Sequence, residues 1–230
     1  MNKAQVLALL DSNKNDRGIA NWHKLHGDDF PLRSVGIGLT VLRKLAKKVG
    51  RSHELAAELW QSDLYEAKVI ALLIDDPKKI TKTQAETQVE QLEGGYLAHV
   101  FSSCDATLAK TSFAVELADE WIDSKDEVRQ RCGYGLLYES SKLKKKTAPD
   151  DDYFLAHIKR IEAHYGDAPI NVLMAMAGAL QGMGVRNKTL HDQALPLAKK
   201  IGPIRFDDKC DPFDVVKNLT SDYVTKKLNL

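Results

Sequence analysis

His53-Glu-Leu-Ala-Ala-Glu-Leu-Trp60-Gln-Ser-Asp-Leu-Tyr-Glu66-Ala-Lys-Val-Ile-Ala-Leu-Leu-Ile74 reads as two helices with almost nothing between them. Its apolar residues recur at three and four spacing, the period of a helix with one buried face. Asp75-Asp76-Pro77 closes the pair, because proline disfavours helix at the residue before it. A second stretch repeats the plan. Helices over 113–123 and 126–141 are also tightly joined, with Trp121 near the end of the first and Glu127 at the start of the second, as Trp60 is followed by Glu66. Both tryptophans stand at equivalent places and are read as packing residues between helix pairs.

Working outward, the same spacing predicts helices over 2–12, 16–26, 34–49, 82–93, 96–110, 151–165, 168–185 and 188–201, and a last one from Asp211-Pro212 to about Lys227. Ser34 is the expected N-cap and Gly50 the expected C-terminal stop of the 34–49 helix. Gly94-Gly95 leads into the 96–110 helix, and Asp150-Asp151-Asp152 caps the helix that follows. Strand-like alternation is nearly absent. Antiparallel helix pairs with weak self-similarity point to an all-α superhelix of the HEAT-like or armadillo type, whose second helices line a concave binding surface. A compact helical bundle is the competing architecture. The expected organisation is one domain over 1–230, with 203–230 a divergent C-terminal tail helix.

The chain has 230 residues and a formal net charge of +1, so a nucleic-acid role requires a local basic patch rather than bulk charge. No apolar run approaches the roughly 20 residues that span a bilayer, and the N-terminus lacks the pattern of a signal peptide. Cys104, Cys132 and Cys210 are odd in number and far apart, which favours a reducing, cytoplasmic setting and speaks against a zinc site. His23-x-x-His26 has metal-like spacing, yet no cysteine or carboxylate is obviously arranged with it, so a surface or packing role is the better reading. Met174, Met176 and Met183 read as core. Lys142–Lys146, with four lysines in five positions, reads as a solvated loop.

The chemistry-bearing stretch is Tyr96-Leu-Ala-His-Val-Phe101-Ser-Ser-Cys-Asp105-Ala-Thr-Leu-Ala-Lys110. It reads as a helix near the middle of the chain, so Phe101 and Asp105 stand one turn apart on one face. An aromatic face beside a carboxylate suits a cationic group.

Several stretches together resemble the DNA alkylation repair family, the HEAT-like alkylpurine DNA glycosylases. They are Val41-Leu-Arg-Lys-Leu-Ala-Lys-Lys-Val-Gly50, Leu59-Trp-Gln-Ser-Asp-Leu-Tyr-Glu-Ala-Lys68, Glu127-Val-Arg-Gln-Arg-Cys-Gly-Tyr134 and Ala175-Met-Ala-Gly-Ala-Leu-Gln-Gly-Met-Gly-Val-Arg-Asn187. They run in the family's order from about residue 20 to 202. The family's Trp-Asp-x-Cys-Asp motif falls on Phe101-Ser-Ser-Cys-Asp105. The resemblance therefore makes Asp105 the catalytic carboxylate and Phe101 the aromatic platform in place of tryptophan, while a second family tryptophan is replaced by Gly178. It places Arg131 and Arg186 on DNA-lining helices.

In the implied reaction a carboxylate stabilises an oxocarbenium-like sugar while aromatic faces hold the charged base. With one wall weakened and the other deleted, the expectation is a DNA-binding protein with weak, altered or lost base excision. The alternatives are an active N3-/N7-alkylpurine glycosylase using Asp105 with Phe101, and a protein-interaction scaffold. Arg131, Arg186, Lys44, Lys47 and Arg43 are the expected contacts to the phosphates of double-stranded DNA. No metal and no cofactor is expected, no membrane contact, and a monomer.

Overall fold

The computed structural model describes residues 1–27, 29–92, 95–144, 148–205 and 211–230, with the backbone alone at Gly95. Gly94, Lys145, Lys146 and Cys210, which figure in the sequence reading, lie outside the described residues. The chain forms two compact units, Met1–Ser112 and Phe113–Leu230. Among the described residues both are helical, and extended backbone pairs only at isolated bridges.

The first unit runs α1 (Lys3–Asp11), α2 (Asp16–His26), α3 (Leu39–Val49), α4 (His53–Trp60), α5 (Tyr65–Ile74), α6 (Lys82–Glu90) and α7 (Gly95–Ser102), then a 3-10 turn over Leu108–Lys110. Its axis is α5, which packs on α1, α3, α4 and α7 and is buried almost all round, as a central helix must be. Trp60, at 3% exposure, closes the α4–α5 pair as its packing role predicts. Lys68 donates to the Trp60 carbonyl oxygen (2.6 Å) and lies over its ring. His26 stacks against Trp22 and Phe30, the packing role its sequence context favours.

Glu66 sits on α5 with no exposure, and burying a carboxylate demands partners. The chain before α3 supplies them. The Ser34 hydroxyl (2.6 Å) and the Ile37 amide (3.1 Å) donate to one oxygen, and the Val35 amide (3.1 Å) donates to the other. Those bonds require extended backbone, so α3 starts at Leu39 with Gly38 as its cap, not at Ser34. Gly36, at φ +75°, lies against Gly18 so closely that a Cβ on either would strike the other's backbone region. Asp75 is a second buried carboxylate, receiving the His53 ring nitrogen (2.6 Å), the Asp76 amide (2.7 Å) and the Gln84 amide group (2.9 Å). It ties α4, α5 and α6 together.

The second unit runs α8 (Ala114–Ile122), α9 (Glu127–Ser141), α10 (Asp151–His164), α11 (Ile170–Gly184), α12 (Lys188–Ile201), α13 (Val215–Leu219) and α14 (Asp222–Leu228). α9 and α11 form its spine, and α8 packs on α9, with Trp121 buried near the end of α8. Met176 and Met183 lie in the core and Met174 packs at its edge, as expected. Asp150 caps α10 through the Tyr153 amide.

The last segment corrects the sequence reading. Asp211-Pro212 does not open a helix. Phe213 instead pairs with Ile204 through two backbone hydrogen bonds (2.8 and 2.9 Å), Asp214 caps α13 and Ser221 caps α14. Val215, Leu219 and Val224 are buried, and Leu219 meets Gly184 where a Cβ would come within 2.9 Å. Val215, Leu219 and Val224 thus build the end of the chain into the second unit's core.

Candidate nucleic-acid interface

The stretch 96–110 is not one helix. α7 ends at Ser102 because the Ser102 and Ser103 hydroxyls bond back to the Ala98 and His99 carbonyl oxygens (3.1 and 2.6 Å), which competes with helix continuation. The chain then turns through Cys104 (φ +59°) and Asp105 (φ +71°), left-handed conformations that cost a non-glycine residue about 1–2 kcal/mol. The Cys104 sulfur lies 3.1 Å from His99 Nε2. Thr107 anchors the far side, its amide and hydroxyl both donating to the Leu72 carbonyl oxygen (2.9 and 3.0 Å). Leu72 is in the last turn of α5, where carbonyls lack helical partners. The turn is therefore dictated by the end of α5.

This breaks the expected geometry of Phe101 and Asp105. Phe101 is fully buried, its ring 6.3 Å from that of Trp60, and offers no face to a ligand. Asp105 leaves the helix and stands with 64% of its side chain exposed, Arg43 Nε 3.1 Å from its carboxylate. Gly178, on α11, is flanked by open space.

Asp105 is the acidic residue of a cleft of about 540 Å³ in the first unit. Arg43 and Lys47, one turn apart on α3, stand on its lining with Arg51 and Lys110; Ala46, Leu73 and Ile74 supply apolar surface. Lys110 donates to the Asp105 carbonyl oxygen (2.9 Å) and braces the turn. Arg51 reaches Asp76 only at 4.0 Å. Four cations face one carboxylate. Their position has a physical cause, since the cleft gathers residues at the C-terminal ends of α3 and α5, where backbone carbonyls favour positive charge.

Such an arrangement can hold a phosphodiester by charge while keeping one carboxylate at the ligand. Motifs in the sequence single out Arg43, Lys47 and Asp105, whereas no motif marks Arg51 or Lys110. The serines at 102 and 103 were the signal that the helix stops and Lys110 swings to the cleft. Tyr96, near the start of α7, is within electrostatic reach of Cys104 and Arg43. It is half exposed, its ring 5.5 Å from that of His99, and burial together with the Cys104 sulfur pushes its hydroxyl pKa up against the pull of Arg43.

The remaining expected contacts are placed otherwise. Lys44 is exposed on α3 outside the cleft lining. Arg131 and Arg186 belong to the second unit. Arg131 is half-buried on α9. Arg186 spends its donors internally, on the carbonyl oxygens of Ser141 (3.0 Å), Leu143 (2.7 Å) and Pro149 (3.3 Å), with Asp151 at 3.7 Å and the Phe154 ring beneath it. It clasps the segment between α9 and α10.

The sequence model of the DNA alkylation repair enzymes matches residues 5–201. The chain belongs to the DNA alkylation repair enzyme family. Uncharacterized proteins of Listeria innocua and Listeria monocytogenes are each 23% identical over 181 residues, covering 78% of this chain and 77% of theirs. A solved structure with a TM-score of 0.82 and 21% identity covers all of this chain and 97% of its own. It is described as one of a new family of proteins related to the HEAT-like repeat DNA glycosylases with affinity for branched DNA structures. The fold of this chain is thus the all-α, HEAT-like repeat fold anticipated from its helix pairs. Among the described residues no helix is long and apolar enough to cross a membrane, and no cluster of metal-ligating side chains occurs.

Proposed function

We propose that this protein binds DNA through sequence-independent contacts to the phosphate backbone, and that its base-excision activity is weak, altered or lost. The observation that carries the reading is the cleft in which Arg43, Lys47, Arg51 and Lys110 surround Asp105. Membership of a DNA-repair family and the branched-DNA affinity of a structural relative support it. The reduced activity follows from the site. Asp105 is exposed and carries the right charge to stabilise an oxocarbenium ion. Aromatic walls, however, are missing at both expected positions, Phe101 being in the core and Gly178 bare. A cationic base loses the cation–π contacts that would hold it in register with the carboxylate.

Two measurements on the full chain test this. Anisotropy of a labelled blunt duplex, titrated over a range of salt, should show affinity falling steeply, with a log–log slope near −3 if about three to four phosphates are neutralised. Lys47→Glu and Lys110→Glu should each weaken it. Binding that is absent, or insensitive to salt, sinks the DNA reading and leaves a protein scaffold. Release of methylpurine from N-methylated duplex, run beside Asp105→Asn, should be slight or nil. Robust release that the variant abolishes would instead establish an active glycosylase.

A further inference from the structure

A second cleft, of about 710 Å³, lies wholly within the second unit, where the C-terminal ends of α9 and α11 meet α14. One wall comes from residues beyond 201, outside the stretch the family model matches. We propose that this cleft seats one nucleotide of a single-stranded segment of DNA. The inference rests on the DNA-binding reading above and adds a partner that a blunt duplex does not present.

Three features of the lining carry it. The first is charge. Lys144 and Lys227 are exposed on the lining, and Asp151, the acidic residue of the lining, faces the internally bonded Arg186. Lys227 donates to the Val185 carbonyl oxygen (2.8 Å), which holds it at the edge with hydrogens to spare. Lysines so placed attract a phosphodiester.

The second is an aromatic face. Tyr223 is 69% exposed and precedes Lys227 by one turn on the same side of α14. A tyrosine left in water beside cations costs apolar hydration unless something covers it, and a base is a flat, sequence-tolerant cover. In a duplex that base is already stacked and paired, so only an unpaired one reaches the ring.

The third is amide chemistry. Gln181 and Asn218 line the cleft. Each carries both donors and an acceptor, which meet the edge of a base. The volume falls within the range of small-ligand clefts and fits one nucleotide, whereas a duplex would span well beyond it.

The test uses the full-length protein and three labelled DNAs, an oligo-dT single strand, a blunt duplex and the same duplex with a single-stranded overhang. Wild type should bind oligo-dT and should favour the overhang over the blunt end. Tyr223→Ala should weaken oligo-dT binding about tenfold, the loss expected of one stacked base, and Lys227→Glu should weaken it further. Both residues are exposed, so unchanged thermal unfolding should accompany the loss, and blunt-duplex affinity should stay within twofold of wild type. Oligo-dT binding untouched by either variant, or duplex binding with no oligo-dT binding at all, overturns this inference alone. Failure to bind any of the three overturns the DNA reading with it.

Discussion

Arg43 Nε lies 3.1 Å from the Asp105 carboxylate, joining α3 to a left-handed turn 62 residues later in the chain (105 − 43). Both side chains are solvent-accessible, at 38% and 64%. An exposed pair of this kind contributes roughly 0–1 kcal/mol to stability, because water competes for both charges. The contact is therefore a latch that a ligand opens at little cost. A phosphate can take over the guanidinium and leave the carboxylate free in the cleft.

Arg43→Ala should accordingly leave the urea midpoint nearly unchanged while weakening duplex binding. The diagnostic is the salt dependence. Removing one phosphate-neutralising cation should lower the magnitude of the log–log slope by about 1. An unaltered slope would mean that Arg43 serves only to hold Asp105.

Arg186 should behave in the opposite way. It is mostly buried, donates to three carbonyl oxygens and covers the Phe154 ring. Arg186→Ala leaves those acceptors short of donors and exposes a ring, for a loss of about 2–4 kcal/mol. Arg186→Lys should rescue little, since an ammonium cannot reproduce the planar fork. Urea unfolding measures both. A variant of native stability but weakened DNA binding would return Arg186 to the phosphate role its sequence context suggests.

The contrast between these arginines shows where the sequence was readable. Periodicity placed most helices, and Trp60 and Trp121 marked the cores of two pairs, because those signals are local and repeat along the chain. What stayed hidden was set by distant partners. Ser34 looks like a cap until Glu66, buried on α5, claims its hydroxyl. Asp105 looks helical until Thr107 is drawn to Leu72. Arg186 looks like a phosphate contact until the carbonyls of Ser141 and Leu143 close on it. In each case a hydrogen-bonding group near a helix end was satisfied from elsewhere, and local sequence carries no record of that.

Gly178 and Gly182 sit one turn apart on α11 and should respond in opposite senses to alanine. A Cβ at Gly178 meets nothing within 4 Å, so Gly178→Ala should stabilise by about 0.5–1 kcal/mol through helix propensity. A Cβ at Gly182 would come 2.5 Å from Ser141 Oγ and 2.7 Å from the Tyr138 ring, so those side chains on α9 would have to shift. Gly182→Ala should therefore destabilise, by about 1–3 kcal/mol. Thermal unfolding of the two variants gives the signs directly.

Asp119, on α8, supplies a test against pH. Burial alone would raise its carboxyl pKa, but hydrogen bonds from His157 (3.0 Å) and Tyr153 (2.8 Å), with Arg160 nearby, outweigh that and hold it below the ordinary aspartate value of 3.8. A group whose folded pKa is depressed binds protons more readily in the unfolded chain. Its stabilising contribution is therefore complete above the unfolded pKa and is lost as pH falls through the folded one. Below about pH 5 carboxylates are the groups that change charge. The stability difference between wild type and Asp119→Asn should thus be nearly complete at about pH 5 and shrink progressively toward zero with further acidification. Urea unfolding of both proteins across that window reads it. A difference that stays flat to the acid limit would show that the α8–α10 contact depends on the shape of the side chain at 119 and not on its charge.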